Sequence, residues 1–346
     1  MFKDYLKEKK IIIDKYICDY LDSEKKQLGE ITPWGNDFIE KLKKFTTLGK
    51  TIRGNLVFLS AEMFNYKKTS ELLKLAGGME LIHSSLLIHD DIMDNDLTRR
   101  GISTVFASYL PFGSLPLAQS LGICAGDIGF FLSLGCFNNL MVEETIKTKL
   151  TKKFIDEMMM VGLAQMSDVY WGNKKDLPGL NDIEKIYLYK TARYSFSLPL
   201  ALGAIIANQN NKTITMVEKL GEYLGLMFQI KDDEIGLTGT EEEIGKPVGS
   251  DIRENKKTLI HYYLYKKAYQ KQRKYLDSVF GNKNIKNKDI AEVKLLVDEL
   301  GVLKIIRQRI NELVNQSYLI IRALPIEKTY QILLSDLVKI LITRTR

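Results

Sequence analysis

Three cysteines in 346 residues leave little room for sulfur chemistry. Cys18, Cys124 and Cys136 follow no CxxC pattern, so neither a disulfide framework nor a thiolate metal site is indicated. They read as small buried residues in a reducing compartment. Seven prolines and 24 glycines are few, and clean apolar–polar alternation is scarce. Both scarcities argue against a sheet protein and for long helices. Long unbroken apolar runs are also missing: Asp127 interrupts Leu121–Phe137, and Pro199 interrupts Tyr194–Ala207. Neither reaches the roughly 20 residues that a membrane-spanning helix needs. Met1–Lys10 is charged and lacks the continuous apolar segment and cleavage site of a signal peptide. The expectation is a soluble, cytoplasmic protein with no stable membrane anchor. Neither a low-complexity linker nor an internal repeat divides it, so one domain spanning residues 1–346 is expected.

What the chain has is ample apolar material, 45% hydrophobic, and a net charge of +7. The charge fits an anionic partner such as a phosphorylated small molecule. No nucleic-acid motif with interleaved aromatics accompanies it, so nucleic acid is not expected. Polar breaks at Trp171–Asn181, Asn208–Lys212 and Gly281–Lys288, and the Gly245–Gly249 segment, predict loops between helices. Residues 291–346 read as amphipathic helix.

Leu75, Met79, Ile82 and Leu86 step by four, three and four, one stripe of a helix. The next positions on that stripe are Asp90 and Asp94, with Asp91 about 100° round. A row that should stay in the core turns acidic. Buried unpaired carboxylates are costly, so the row is expected to open onto a cavity and meet a cation. Such a set suits Mg²⁺, which takes one or two carboxylates and fills its octahedron with water or phosphate oxygens. A second apolar helix (Val217, Leu220, Leu224, Met227) leads into Gln229, Asp232 and Asp233, with Gln229 and Asp233 four apart on one face. Basic residues complete the pattern. Lys50 and Arg53 lie three apart, which predicts that they share one helical face, Arg99 and Arg100 follow the first acidic cluster, and His83 precedes Asp90 by seven. Arginine's fork matches phosphate oxygens. Lys190, Lys246 and Lys256 lie near polar breaks.

These motifs together resemble the trans-type (all-E) polyprenyl diphosphate synthases, the family of farnesyl and geranylgeranyl diphosphate synthases. The resemblance runs through Gly49–Arg53, Glu80–Gly101, Gly126 and Asp127, Gln165–Asp168, Lys190 and Thr191, and Phe228–Thr258. It implies an all-α, single-domain bundle of long helices around a deep central cavity, and a homodimer with an interface near Cys124–Phe137. The implied reaction joins isopentenyl diphosphate to an allylic diphosphate (dimethylallyl, geranyl or farnesyl). Asp90, Asp91, Asp94 and Asp232 would hold Mg²⁺, three ions in all, with Asp233 nearby. Arg99, Lys190, Lys246 and Lys256 would contact the allylic diphosphate. Lys50, Arg53, His83 and Arg100 would hold isopentenyl diphosphate without metal. Gln165, Thr191, Tyr194 and Gln229 match or flank polar positions near the reacting carbons.

The chain departs from the family pattern at several points. Thr51 replaces a second arginine and Gly54 a proline. Ser103-Thr104-Val105-Phe106 replaces Pro-Thr-x-His, and Gly236 replaces a third aspartate of the second motif. Leu86 and Ser85 occupy the positions four and five before Asp90 that cap the growing product in this family, with Ile82 one turn deeper. Small Ser85 predicts a C20 to C25 product, with C15 as the alternative. The rival readings are a class I terpene synthase, which would lack the second diphosphate grip, and a non-catalytic subunit of a heteromeric synthase.

Overall fold

The structure, a computed structural model, describes residues 1–239 and 249–344. It is helical almost throughout, as composition and periodicity predict. The chain divides into two compact units, Met1–Lys153 with Pro199–Ile214, and Phe154–Leu198 with Thr215–Arg346.

The first unit opens with α1 (Phe2–Ile31), α2 (Pro33–Thr47), α3 (Ile52–Met63) and α4 (Thr69–Asp94). A two-residue hairpin follows, β1 (Thr98–Arg99) against β2 (Ile102–Ser103), then a 3₁₀ turn Ala107–Phe112 and α5 (Leu115–Asn138). Nothing in the apolar pattern predicts this hairpin. Arg100 and Gly101 form its turn with φ of 53° and 77°, the left-handed pair that a tight two-residue connection requires. Only one stripe of α1 is apolar, and Ile13, Ile17 and Leu21 bury it. In contrast, α3 is buried nearly all round, from Leu56 through Leu59. Small residues bring α4 and α5 together. A Cβ on Gly126 would stand 2.2 Å from His89 Nε2, and one on Gly129 would stand 2.2 Å from Ser85 Oγ.

The helix α6 (Glu144–Gly172) enters the second unit at Phe154. There α7 (Leu180–Ile186) runs directly into a π-helical segment, Tyr187–Ser197. After α8 (Leu198–Ile206) comes α9 (Asn211–Thr238). Two glycines lay α9 on the backbone of the π segment. A Cβ on Gly221 would come 2.3 Å from Ser197 Cα, and one on Gly225 would come 2.3 Å from Ala192 Cα. The turn Ser250–Arg253 and the helices Leu259–Lys267, Gln270–Val279, Asn287–Glu299, Val302–Ala323 and Lys328–Thr343 follow.

Some boundaries differ from expectation. Residues 171–172 and 180–181 are helical, so that loop is 173–179. Helices also begin earlier than expected, at Asn211 and Asn287. The C-terminal stretch is three helices, broken where Gly301 takes φ of 63° and again around Pro325. Of the Gly245–Gly249 loop, only Gly249 lies within the described residues. Among the cysteines, Cys136 is buried, Cys18 is partly so, and Cys124 is exposed. At 24 residues, α5 is longer and more continuous than the sequence reading allowed, because Asp127 sits on its exposed side without ending it. By length and composition it could cross a membrane, yet it packs along α4.

Candidate active site

In the first unit, Asp90, Asp91 and Asp94 occupy the last turn and a half of α4. The acid that is fully buried is Asp91, at 0% exposure, while Asp90 and Asp94 are half-buried. The apolar stripe therefore ends at Leu86, itself half-buried, and the core-facing acid is one position round from it. Arg99 makes that burial possible. Its Nε and Nη2 both lie 2.6 Å from Asp91 Oδ1, and Nη2 lies 3.6 Å from Asp96. Burial works against the Arg99 charge, but Asp91 outweighs it and the guanidinium pKa is raised. Arg99, read from sequence as a diphosphate contact, is thus also the partner of a candidate metal ligand.

The expected helical face shared by Lys50 and Arg53 does not exist. Thr51 adopts φ of 53°, and α3 begins only at Ile52, so exposed Lys50 precedes the helix and Arg53 lies in its first turn. Arg100 Nη1 donates to Phe45 O at 2.9 Å and the guanidinium lies over the Phe45 ring. Gly49 leaves the space for it, since a Cβ there would approach Arg100 Nη1 to 3.0 Å. Half-buried His83 belongs to the same group. Burial first, and then the charges of Arg53, Arg100 and Arg99, hold its pKa well below the ordinary value. Its imidazole is neutral and can donate one N–H without adding a charge. Of the product-length candidates on α4, Ile82 and Ser85 are fully buried. Ser85 Oγ donates to Leu81 O and rests against Gly129 of α5.

In the second unit, the i,i+4 reading of α9 holds. Gln229 Nε2 donates to Asp233 Oδ1 at 2.8 Å, and Thr191 Oγ1 donates to Gln229 Oε1 at 2.8 Å. The Tyr187 hydroxyl donates to Asp233 Oδ2 and accepts from Leu259 N–H at 3.0 Å. Burial, followed by the charge of Asp251, pushes the Asp233 pKa well above the usual carboxylate range. Asp232 is half-exposed and accepts from Arg344 Nη2 at 2.5 Å. Lys190, in the π segment, pairs with Asp168 at 2.5 Å. Lys256 lies 2.9 Å from Glu254 and 4.0 Å from Asp251. Gln165 lies on α6, and Tyr194 is buried in the π segment. Lys246 lies outside the described residues. A Cβ on Gly236 would stand 3.3 Å from Asp251 Oδ2, so a carboxylate does occupy the neighbourhood of the missing third aspartate.

Sequence reasoning gave no role to Tyr187, Asp168, Asp251, Arg344 or Glu80. Tyr187 stands four residues before Thr191, a spacing that could have revealed it. Arg344 reaches Asp232 across 112 positions, and no local pattern encodes that contact.

The sequence profile of the polyprenyl synthetase family matches residues 36–298. The geranylgeranyl diphosphate synthase of Saccharolobus solfataricus is 32% identical over 255 residues, 73% of this chain and 74% of that protein. That of Sulfolobus acidocaldarius is 34% identical over 251 residues, 71% of this chain and 72% of its own. A solved geranylgeranyl pyrophosphate synthase of Corynebacterium glutamicum, complexed with isoprenyl diphosphate and magnesium, superimposes with a TM-score of 0.92. At 24% identity, covering 99% of each chain, it shows the shared fold. The chain belongs to the polyprenyl synthetase family and is a trans-prenyltransferase.

Proposed function

We propose that the chain condenses isopentenyl diphosphate with an allylic diphosphate, head to tail, to give geranylgeranyl diphosphate. The observation that carries this reading is the gathering of Arg53, His83, Arg99 and Arg100 in the unit that bears Asp90, Asp91 and Asp94. A terpene synthase needs only one diphosphate grip, so the metal-free group of Lys50, Arg53, His83 and Arg100 favours a second diphosphate substrate. The intact first acidic motif, Asp90, Asp91 and Asp94, argues against a non-catalytic subunit.

Asp90, Asp91 and Asp94 in the first unit and Asp232 in the second would be the metal ligands, and carboxylates are the donors that suit a hard cation such as Mg²⁺. Three bound Mg²⁺ ions would draw charge from the departing diphosphate of the allylic substrate. Arg99, Lys190, Lys246 and Lys256 neutralise that same diphosphate. Neutral His83 donates to a phosphate oxygen of isopentenyl diphosphate while Lys50, Arg53 and Arg100 balance its charge. Thr191, Gln229, Gln165 and Tyr194 present oxygen dipoles to the allylic cation, and Asp233 fixes Gln229. The released diphosphate takes the proton that restores the double bond. Apolar walls keep water from the cation. Small Ser85, above Ile82 and beside Leu86, sets a C20 product, in keeping with the names of the archaeal relatives. The two units act as one catalytic domain in a soluble, cytoplasmic homodimer.

The test supplies the purified chain with Mg²⁺, labelled isopentenyl diphosphate and each allylic starter, with chromatography of the products. Labelled C20 diphosphate is expected. A hydrocarbon without incorporated label would overturn the reading in favour of a cyclase. A C15 product alone would overturn the assignment of Ser85.

A further inference from the structure

We propose that Glu80 is a positioning residue for isopentenyl diphosphate, holding the first turn of α3 and its Arg53 from the neighbouring helix α4. The inference rests on the proposed function, which assigns Arg53, His83 and Arg100 to that diphosphate. Glu80 is 3% exposed, and its Oε1 accepts the Gly54 N–H at 2.7 Å. Gly54 is the third residue of α3, one of the first-turn donors that have no carbonyl partner within a helix. Thr51, the residue before the helix, supplies no side-chain cap. A carboxylate from α4 therefore caps α3, where the helix dipole also favours negative charge.

The surrounding charge points the same way. Burial raises the Glu80 pKa, and Arg53 and the Gly54 N–H oppose that rise, followed by Arg100 and Lys10. Arg53, Arg100 and Lys10 come from α3, the hairpin and α1 respectively. Arg100 in turn feels the repulsion of Arg99 and Arg53, with Glu80 as its largest source of relief. Glu80 is thus a buried carboxylate whose charge favours Arg53 and Arg100 beside it, as Asp91 favours Arg99. Removing one partner of a buried charge group costs far more than an exposed pair contributes.

Two departures from the family pattern fit this role. A proline at position 54 has no N–H to give, and here that N–H is used. Gly54 also fits closely, since a Cβ on it would stand 3.1 Å from Ile13 Cδ1 and 3.2 Å from Ala76 Cβ. Thr51, in place of arginine, is a β-branched residue at positive φ, a strained state that persists only when its surroundings impose it. Lys10 of α1 supplies that constraint. Its Nζ reaches Thr51 Oγ1 at 3.2 Å and Thr47 O at 2.7 Å. Glu80 and Lys10 therefore brace the Lys50–Arg53 turn from two sides.

The test is steady-state kinetics on wild type, Glu80→Gln and Glu80→Asp, with thermal melts to confirm folding. Glutamine keeps an oxygen for Gly54 and removes the charge. The KM for isopentenyl diphosphate should rise about tenfold, while the allylic KM and kcat stay within about twofold, the pattern of a lost ground-state contact. Glu80→Asp keeps the charge on a shorter stem and should leave a smaller selective rise, about threefold. Equal rises in both KM values, or none, would overturn the inference. Should Glu80→Gln fail to fold, Glu80→Asp decides by the same criterion. A selective rise of about threefold supports the role, and an unselective or absent one removes it. A wild type that never incorporates isopentenyl diphosphate refutes the functional reading instead, before any variant is compared.

Discussion

Gly236 is the residue at which the chain departs furthest from a complete second acidic motif, and its neighbours say what restoring the acid would do. A new side chain there would start 3.3 Å from Asp251 Oδ2, in a region that already holds Asp232 and Asp233. Like charges a few ångström apart repel by about 1 kcal/mol even at the dielectric of water, and by more where buried. Gly236→Asp is therefore expected to melt at a lower temperature without Mg²⁺ and to gain more on adding Mg²⁺ than wild type does. Equal melting of the two proteins in the absence of Mg²⁺ would show that Asp251 does not crowd this position. His261 is a second residue with a definite consequence. Its ring is 2% exposed, stacked on Tyr265 with centroids 4.5 Å apart and edge-on to Phe280 at 4.6 Å. Neither ring nitrogen has a hydrogen-bond partner among the described residues. Burial, with the Lys257 charge behind it, lowers its pKa from 6.5 to about 3. The folded value is the depressed one, so the unfolded chain takes up the proton first. The stability from neutral His261 is present above 6.5 and is lost as pH falls toward about 3. The loss runs at about 1.4 kcal/mol per pH unit. His261→Phe keeps the stack and removes the titration. Its melting temperature should match wild type at pH 7.5 and exceed it at pH 5, and an unchanged gap between the two pH values would refute this.

At the scale of elements, the second acidic cluster depends on how closely α9 lies on the π segment. Gly225 permits that approach, because a Cβ would meet Ala192 Cα at 2.3 Å and Ala192 O at 2.9 Å, both backbone atoms that cannot step aside cheaply. Gly225→Ala is expected to cost about 1–3 kcal/mol or more by overpacking. Gln229 lies one turn further along α9, so separating the two segments also lengthens its bond to Thr191. A lower melting temperature together with a fall in kcat of at least tenfold is the expected outcome. Full activity in a destabilised variant would uncouple this packing from the chemistry. Element packing is also where the sequence stopped being legible. The stripe Leu75–Leu86 and the pair Gln229 and Asp233 could be read because helical spacing fixes which side chains share a face. Helical spacing could not tell that Asp91, rather than Asp90 or Asp94, is the fully buried acid, because Arg99 reaches it from a hairpin that no apolar pattern announces. The π segment escaped for a related reason. Its extra residue per turn is stabilised by neighbours such as α9, and the local sequence Tyr187–Ser197 reads equally well as ordinary helix.

For the molecule as a whole, the outer side of α5 poses the remaining question. Its inner side is committed to α4, yet Ile123 is 48%, Ile128 37% and Phe131 71% exposed. On α6, Met159, Leu163 and Met166 are 55%, 59% and 70% exposed at spacings of four and three, one helical face. Apolar surface of this extent marks an interaction site. Two occupants are conceivable for α5, a lipid bilayer and a second copy of the chain. The bilayer fits poorly, because Asp127, 60% exposed, stands in the middle of the same helix, where a charge in hydrocarbon is costly. A second copy fits better, since an interface can leave Asp127 and His89, 3.4 Å apart, at a wetted rim. In sedimentation, wild type is therefore expected at about twice its chain mass of 39.6 kDa. Phe131→Glu should sediment at the single-chain mass, because a charge at the centre of an apolar contact is left without solvent or partner. Wild type that sediments as a monomer and co-pellets with lipid vesicles would assign this face to the membrane instead. Dimeric Phe131→Glu would move the interface away from α5.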